Sequence, residues 1–430
     1  MSLAPSAVIL VVDQLSAAML GPYGNTMIET ANFNRLAAQS LLFDFAFVNS
    51  MDLAEGYDAL WTTKPVIDWQ FDNLIDRQTL DSGRSAAEPI ELEELATAGG
   101  GSPSLIERFA AGGVATVLIS DDPIVAEHAK ANFDRVIVLP QSESSRSAKR
   151  SSATQLATFF AQATAWLAAE LEPGQMCWLH SRGLSGAWDA PYDWRQQFAG
   201  EDDPDPPTFV EPPAEWIDPS VLDPDRLLGW QQAAAAQVLL IDECLGVLLG
   251  ELDSSPIASA LLFGIASTRG CGLGEHGLVG VGLQLYEESV HVPLLVRLPD
   301  LAGHRGRRVG RSGALIQIDQ LSELLTTWLL RDPTALQEML DPIDQVLPGR
   351  NNECIVISSN EQESLQTHAW KLIRSKMGGV QLYAKPDDRC EVNNIGDRCP
   401  EVVEKMLLAL DRRLAGEEVL LSNELLSRAD

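Results

Sequence analysis

The chain opens with AVILVVD (Ala7–Asp13), six apolar residues closed by an acid. A run that is apolar at every position, short and rich in β-branched residues reads as a strand covered on both faces. An acid at its C-terminal end stands where parallel α/β sheets carry their functional groups. The same texture returns along the chain. Asn32–Ser40 has helical spacing and Leu41–Val48 reads as a strand. Leu105–Ala111 is helical, Ala115–Ser120 a strand, Val125–Asn132 a helix and Arg135–Leu139 a strand. Ala153–Leu171 is a long helix, Met176–His180 a strand, Arg226–Leu252 a helix and Ala258–Ile265 a buried strand. His291–Leu298 is a further strand and Gln317–Leu330 a helix. Such alternation predicts a mixed, mainly parallel sheet between helical layers.

After about Pro348 the texture changes to short, hairpin-like strands at Cys354–Ser358, Ala369–Arg374 and Gly379–Tyr383, then a helix at Glu401–Leu414. This divides the chain into an α/β domain at 1–347 and a small C-terminal α+β subdomain at 348–430. Glu201–Asp225, with seven prolines and nine acids, is a long surface loop.

The 61 acidic and 31 basic residues give a net charge of −30. That field repels nucleic acid and anionic lipid, and disfavours polyanionic substrates unless a local basic pocket overrides it. Six scattered cysteines (Cys177, Cys244, Cys271, Cys354, Cys390, Cys399) have no C-x-x-C or zinc spacing. They read as free thiols in a reducing compartment, with Cys390–Cys399 the one pair a loop could close. The N-terminus lacks a basic n-region, no window reads as a membrane span, and a cytoplasmic location is expected.

Several blocks resemble the sulfatase branch of the alkaline phosphatase superfamily. VVDQLSAAMLGPYGN (Val11–Asn25) is similar to the family opening of strand, acidic pair and L-G-x-Y-G-N, and ANFNRLAAQSLLFDFAFV to its T-P-N-L-D-R-L-A-A-E-G block. IDECLGVLL resembles the helix with L-D-x-x-V-G. LGEHGL and LYEESVHVPLLVRLP match the late block, and AWKLIR with LYAKPDDRCEVNNI matches the closing one. The blocks run in family order from residue 8 to about residue 410, and imply the alkaline-phosphatase/sulfatase-like fold.

The resemblance also implies a chemistry. Sulfate-ester hydrolysis requires a nucleophile, a divalent cation and positive side chains at one place. The family makes its nucleophile from Cys or Ser in C/S-x-P/A-x-R and holds Ca or Mg among acids and an Asn or His. Here the acidic pair is Asp13 followed by Gln14. The nucleophile position falls at Leu53 and its arginine at Tyr57, within MDLAEGYDALW; no Cys precedes Cys177. The S-D-H/N-G ligands are replaced by Thr268 and Arg269 in SALLFGIASTRG. The late lysine is Val281. The histidine near the sulfate has its counterpart at Ser185 in HSRGLSGAWDAP, with His180 close by.

Only Asp13 survives of the implied ligands, so no cofactor is expected. Arg269 would replace the lost cation and pair with Asp13. Glu275 and His276 read as structural. Asp52, Glu55 and Asp58 read as surface charge, or with Tyr57 as the lining of a remodelled pocket. Trp61, Trp178 and Trp188 read as core. The expected function is a sulfatase-like protein that has lost sulfuric ester hydrolase activity and binds an anionic small molecule or a partner protein. The alternatives are a hydrolase of sulfate or phosphate esters with a remodelled site, and a purely structural or regulatory subunit. Oligomeric state is left open by the sequence.

Overall fold

In the computed structural model, the described residues are 3–62, 104–140, 144–213, 215–216, 223–280, 282, 284–299, 309–330, 353–417, 419 and 421–426. The opening run is β1 (Ser6–Val12), buried at every position. Its side chains alternate between two cores: Ala7, Ile9 and Val11 enter one, Val8, Leu10 and Val12 the other. Each large aliphatic side chain so buried stabilises the fold by about 1.5–3 kcal/mol.

The other strands of the main sheet are β2 (Leu41–Phe47), β3 (Ala115–Ser120), β4 (Arg135–Val138) and β5 (Gln175–Ser181). A short β6 (Glu215–Trp216) lies outside it, before β7 (Leu261–Ala266), as do β8 (Gly272–Leu273) and β9 (Leu278–Gly280). β10 (Leu294–Arg297) and β11 (Gly310–Gln317) complete an eight-stranded sheet of order β11-β2-β10-β7-β1-β5-β3-β4. β10 runs antiparallel to both neighbours, and every other pairing is parallel. β6, β9 and β8 form a separate three-stranded antiparallel sheet.

Helices cover both faces. On one lie α1 (Ala31–Ala37) and two longer helices, Gln155–Glu170 and Pro224–Ser254; on the other lie α2 (Leu53–Thr62) and the helices Leu105–Ala111 and Leu321–Leu330. The family-like blocks turn out to be joints of this scaffold. In GPYGN, the Tyr23 hydroxyl accepts the Leu294 N–H at 2.8 Å, and the Asn25 carboxamide binds the Met27 and Ile28 N–H groups. In IDECLG, the Asp242 carboxylate crosses to the start of α1 and accepts the Asn32 and Phe33 N–H groups at 3.0 and 2.9 Å. It caps that helix from outside the chain segment, in the manner of an N-cap residue. Gly246 lets the helices approach, since a Cβ there would lie 2.7 Å from the Asn32 side chain.

The C-terminal part is a four-stranded antiparallel sheet, β12 (Ile355–Ser358), β13 (Gln362–Gln366), β14 (Trp370–Ser375) and β15 (Val380–Ala384), backed by the helix Pro400–Leu414. Leu365, Leu372 and Leu382 face that helix, while Ile355, Ile357, Ile373 and Tyr383 join the large core. The expected boundary at 347/348 lies outside the described residues.

Several sequence expectations are corrected. The helix expected at Val125–Asn132 spans Pro123–Ala129, drawn forward by Asp122, whose carboxylate caps Ile124 and Val125. The strand expected from Ala258 starts at Leu261, after a 3-10 turn. Gln317 ends a strand rather than starting a helix. That strand, β11, was hidden by two glycines and an arginine, and it is bulged between Ser312 and Leu315, as edge strands often are. β13 (QESLQ) was hidden by its polarity. One window does reach membrane-spanning length and apolarity: the helix Pro224–Ser254 has a mean hydropathy of 1.7 there, and 72% of that window is buried inside the protein. Cys390 and Cys399 are not paired, and all six cysteines are free.

Charged groups join the two sheets. Lys371, fully buried on β14, lies 2.7 Å from Glu391; Lys385 lies 2.8 Å from Glu391 and 3.2 Å from Glu287. Burial raises the Glu287 carboxyl, but the ammonium groups of Lys385 and Lys371 outweigh it and draw the group down to about 2. Removing one member of such a buried set strands the others, so Lys371→Met is expected to lower the urea-unfolding free energy by about 3 kcal/mol. Because the folded pKa of Glu287 lies below its ordinary 4.5, its contribution is complete above about pH 4.5 and lost as pH falls towards 2. The stability gap between wild type and Glu287→Gln is therefore expected to close across that window in acid unfolding titrations.

Candidate functional site

The carboxyl ends of β1, β3, β5 and β7 converge above the middle of the main sheet. Asp13 leaves β1 there with 1% of its surface exposed. Its neighbour Gln14 takes a left-handed backbone, φ 65°, a conformation that costs a non-glycine residue and recurs at sites. The turn is held on both sides. The Leu15 N–H binds the Ser267 hydroxyl at 3.1 Å, and Leu184 N–H binds the Asp13 carbonyl at 3.1 Å. Gly183 makes this second approach possible: its φ is +50°, and a Cβ would sit 2.5 Å from the Asp13 carbonyl oxygen.

Arg269 meets Asp13 as a fork. Its Nε donates to Oδ1 and one terminal nitrogen to Oδ2, both at 3.1 Å, and the Thr268 hydroxyl donates to Oδ1 at 2.5 Å. The other terminal nitrogen reaches the Met51 carbonyl at 3.4 Å, at the threshold of α2. The pairing read from the sequence is therefore formed. Burial pushes the Asp13 carboxyl up, but Arg269, aided by Thr268, holds it below its ordinary value. Burial alone would lower the Arg269 guanidinium; Asp13 instead raises it.

The position expected for the nucleophile, Leu53, begins α2, directly after Asp52, whose carboxylate caps the Ala54 and Glu55 N–H groups. Tyr57, at the arginine position, is fully buried; it stacks on Trp61 at 4.3 Å and meets Trp178 edge-on. Its hydroxyl shares a hydrogen bond with Nδ1 of His180. Burial pushes the Tyr57 phenol well above its ordinary range and lowers His180 to about 4 despite the nearby Asp13 and Asp122. Both groups are neutral at pH 7, and among the described residues Nε2 of His180 has no hydrogen-bond partner. Ser185 sits elsewhere: its hydroxyl donates to the Arg182 carbonyl at 2.8 Å, on the loop beyond Gly183. Val281 lies outside the described residues.

Of the acids read as surface charge, Asp58 is buried against His128 at 2.8 Å and Glu55 accepts the Ser50 hydroxyl. His276 is structural, between Glu288 and the Glu391 carbonyl and stacked on Tyr286 at 3.7 Å. Trp61, Trp178 and Trp188 are core. The sequence reading passed over Asp121 and Asp122, which close β3 as Asp13 closes β1. Asp122 acts electrostatically on Arg269, Tyr57 and His180. Burial pushes Asp121 up to about 6, although it accepts the Arg182 N–H. The signal was present in ATVLISDD, an apolar strand ending in acids.

A hard divalent cation needs several oxygen donors around it. Here both oxygens of the one inward carboxylate on β1 are engaged by a guanidinium and a hydroxyl, and among the described residues no three His, Cys, Asp or Glu side chains converge to hold a metal. The donor set does not fit the calcium or magnesium that the fold implies. What the arrangement does is neutralise a buried acid. Arg269→Met is accordingly expected to cost about 3–5 kcal/mol in denaturant unfolding. Adding Asp13→Asn to it should restore much of that loss, and the double-mutant cycle reads the coupling.

No protein-family model matches the sequence, and no curated protein matches it. Solved structures do match the fold. The phosphonate monoester hydrolase of Agrobacterium radiobacter superposes with a TM-score of 0.68 at 15% identity, over 95% of this chain and 96% of that one. A 2-O GAG sulfatase gives 0.66 at 15% identity, over 96% and 92%. The phosphonate monoester hydrolase from Silicibacter pomeroyi gives 0.66 at 12% identity, over 96% and 94%. The chain thus has an alkaline-phosphatase/sulfatase-like fold.

Proposed function

We propose that this chain is a sulfatase-fold protein without sulfuric ester hydrolase activity, which acts by binding rather than by turnover. The observation that carries this reading is the bidentate Arg269–Asp13 pair, closed by Thr268, at the place where the fold's hydrolases are expected to hold their cation. Leu53 adds to it, because an aliphatic side chain supplies no atom to attack sulfur or phosphorus. A cation-free, nucleophile-free centre lacks the charge withdrawal on which displacement at these esters depends.

A remodelled hydrolase would need another nucleophile and base. Tyr57 and His180 are hydrogen-bonded neighbours of the right chemical types. Tyr57 is nevertheless completely buried, its phenol is held neutral by burial, and no substrate can reach it without opening the core. That geometry favours the binding reading.

Purified protein assayed with 4-nitrophenyl sulfate, phosphate and phenylphosphonate, with calcium or magnesium added, is expected to release no 4-nitrophenol above a heat-denatured control. Turnover proportional to protein concentration and abolished by Asp13→Asn would overturn the proposal.

A further inference from the structure

The turn Glu275–Gly277, between β8 and β9, carries His276 at a left-handed backbone, φ 52°, a conformation that costs a non-glycine residue and persists only where its surroundings hold it. Both ring nitrogens are engaged. Nδ1 lies 2.9 Å from a carboxylate oxygen of Glu288, on the short helix Glu287–Val290, and Nε2 lies 3.0 Å from the main-chain oxygen of Glu391. The Tyr286 ring covers one face at 3.7 Å, 6° from parallel, and its hydroxyl donates to Gln381 on β15. Glu391 is itself left-handed, φ 55°, and 1% exposed. Its carboxylate is tied to Lys371, Lys385 and the Glu287 N–H. The His276 contact is a second tether, on its main chain.

Those two partners fix the charge of the ring. A main-chain carbonyl and a carboxylate both accept, whereas a neutral imidazole has one N–H to give and would turn its other lone pair on an acceptor. Only the imidazolium donates to both. Glu275 does not compete, because its carboxylate accepts the Leu273 N–H at 2.7 Å. We infer that His276 is a proton-operated clamp: charged, it fastens the C-terminal segment at Glu391 to the main domain, and with the proton gone one of its two contacts sets lone pair against lone pair and the tether slackens. The segment so held supplies Lys385, Pro386 and Arg389 to the wall of a cleft of about 300 Å³, whose lining also includes Phe45 and Arg311 of the main sheet. The firmness of that wall therefore follows pH. The clamp shares no residue with the Asp13–Arg269 centre and works whether or not esters turn over.

Burial opposes the charge, but Glu288 and Glu391 outweigh it and raise His276 above its ordinary 6.5. The contribution of the clamp is complete below about pH 6.5 and is lost as pH rises through the raised value. The other imidazole of this joint, His291, lies 3.3 Å from Glu287 and is lowered by burial, so it is already neutral in that window. Glu287, drawn down to about 2, does not change charge there, nor does Lys385, which despite burial is held above its ordinary 10.5 by Glu287 and Glu391. Burial raises the Glu391 carboxyl above 4.5 against the pull of Lys371, but its main-chain carbonyl accepts whatever the state of that carboxyl.

Nitrogen-15 NMR of the whole chain, with the His276 signal assigned by its absence from His276→Gln, is expected to show a titration midpoint above that of the urea-unfolded chain. Glu288→Gln should bring that midpoint down. Across the titration, the ratio of wild-type to His276→Gln folding constants should fall by about tenfold for each pH unit separating the folded and unfolded midpoints. Hydrogen exchange of residues 385–395, corrected for its intrinsic pH dependence, should quicken about fivefold more in wild type than in His276→Gln over the same range. A midpoint at or below that of the unfolded chain, a midpoint unmoved by Glu288→Gln, a ratio independent of pH, or exchange that responds equally in both proteins would each overturn the inference.

Discussion

A carboxylate sealed into the middle of an α/β sheet has to be answered by positive charge. In this protein the answer comes from the adjacent strand. The Arg269 guanidinium grips both oxygens of Asp13 and touches the backbone before α2 with its remaining nitrogen. Three segments far apart in sequence are thereby fixed to one point: the end of β1, the end of β7 and the start of α2. The same contact sets the chemistry. A fixed guanidinium beside the single available carboxylate repels a divalent ion and occupies the lone pairs such an ion would use.

The surroundings are built accordingly. Where hydrolysis would call for an open, charged cleft, α2 instead delivers Tyr57 and Trp61 into a stack with Trp178 and His180. Burial keeps the phenol protonated and the imidazole neutral. Polar functions persist there in uncharged form, shielded from water.

Much of the family-like signature in the sequence belongs to the scaffold rather than the reaction. Tyr23 locks onto the backbone of Leu294, Asp242 caps α1 from another helix, and His276 bridges the two sheets through Glu288 and Glu391. These contacts hold scaffold elements to one another and involve none of Leu53, Tyr57 and Arg269. Their survival beside Leu53, Tyr57 and Arg269 explains how a chain at 12–15% identity still superposes along nearly its whole length on hydrolases.

The apolar strands, their order of alternation with helices, and the identities of Asp13, Thr268 and Arg269 were all readable from the chain, because burial writes itself into local composition and motif spacing. Elements with mixed composition were not readable: β11 is an edge strand with glycines and a bulge, and β13 is polar along most of its length. Nor could spacing decide between Ser185 and His180, since a turn at Gly183 sends one towards its own loop and leaves the other under Tyr57. Asp122 joined the site through parallel pairing of β3 with β5. The linear chain thus determined which residue types stand at the positions the resemblance singled out and which sheet would form, because those depend on residue identity and period. Tertiary structure alone decided what stands in the vacated positions, because partnership between side chains depends on distances that only long-range strand pairing and helix packing set.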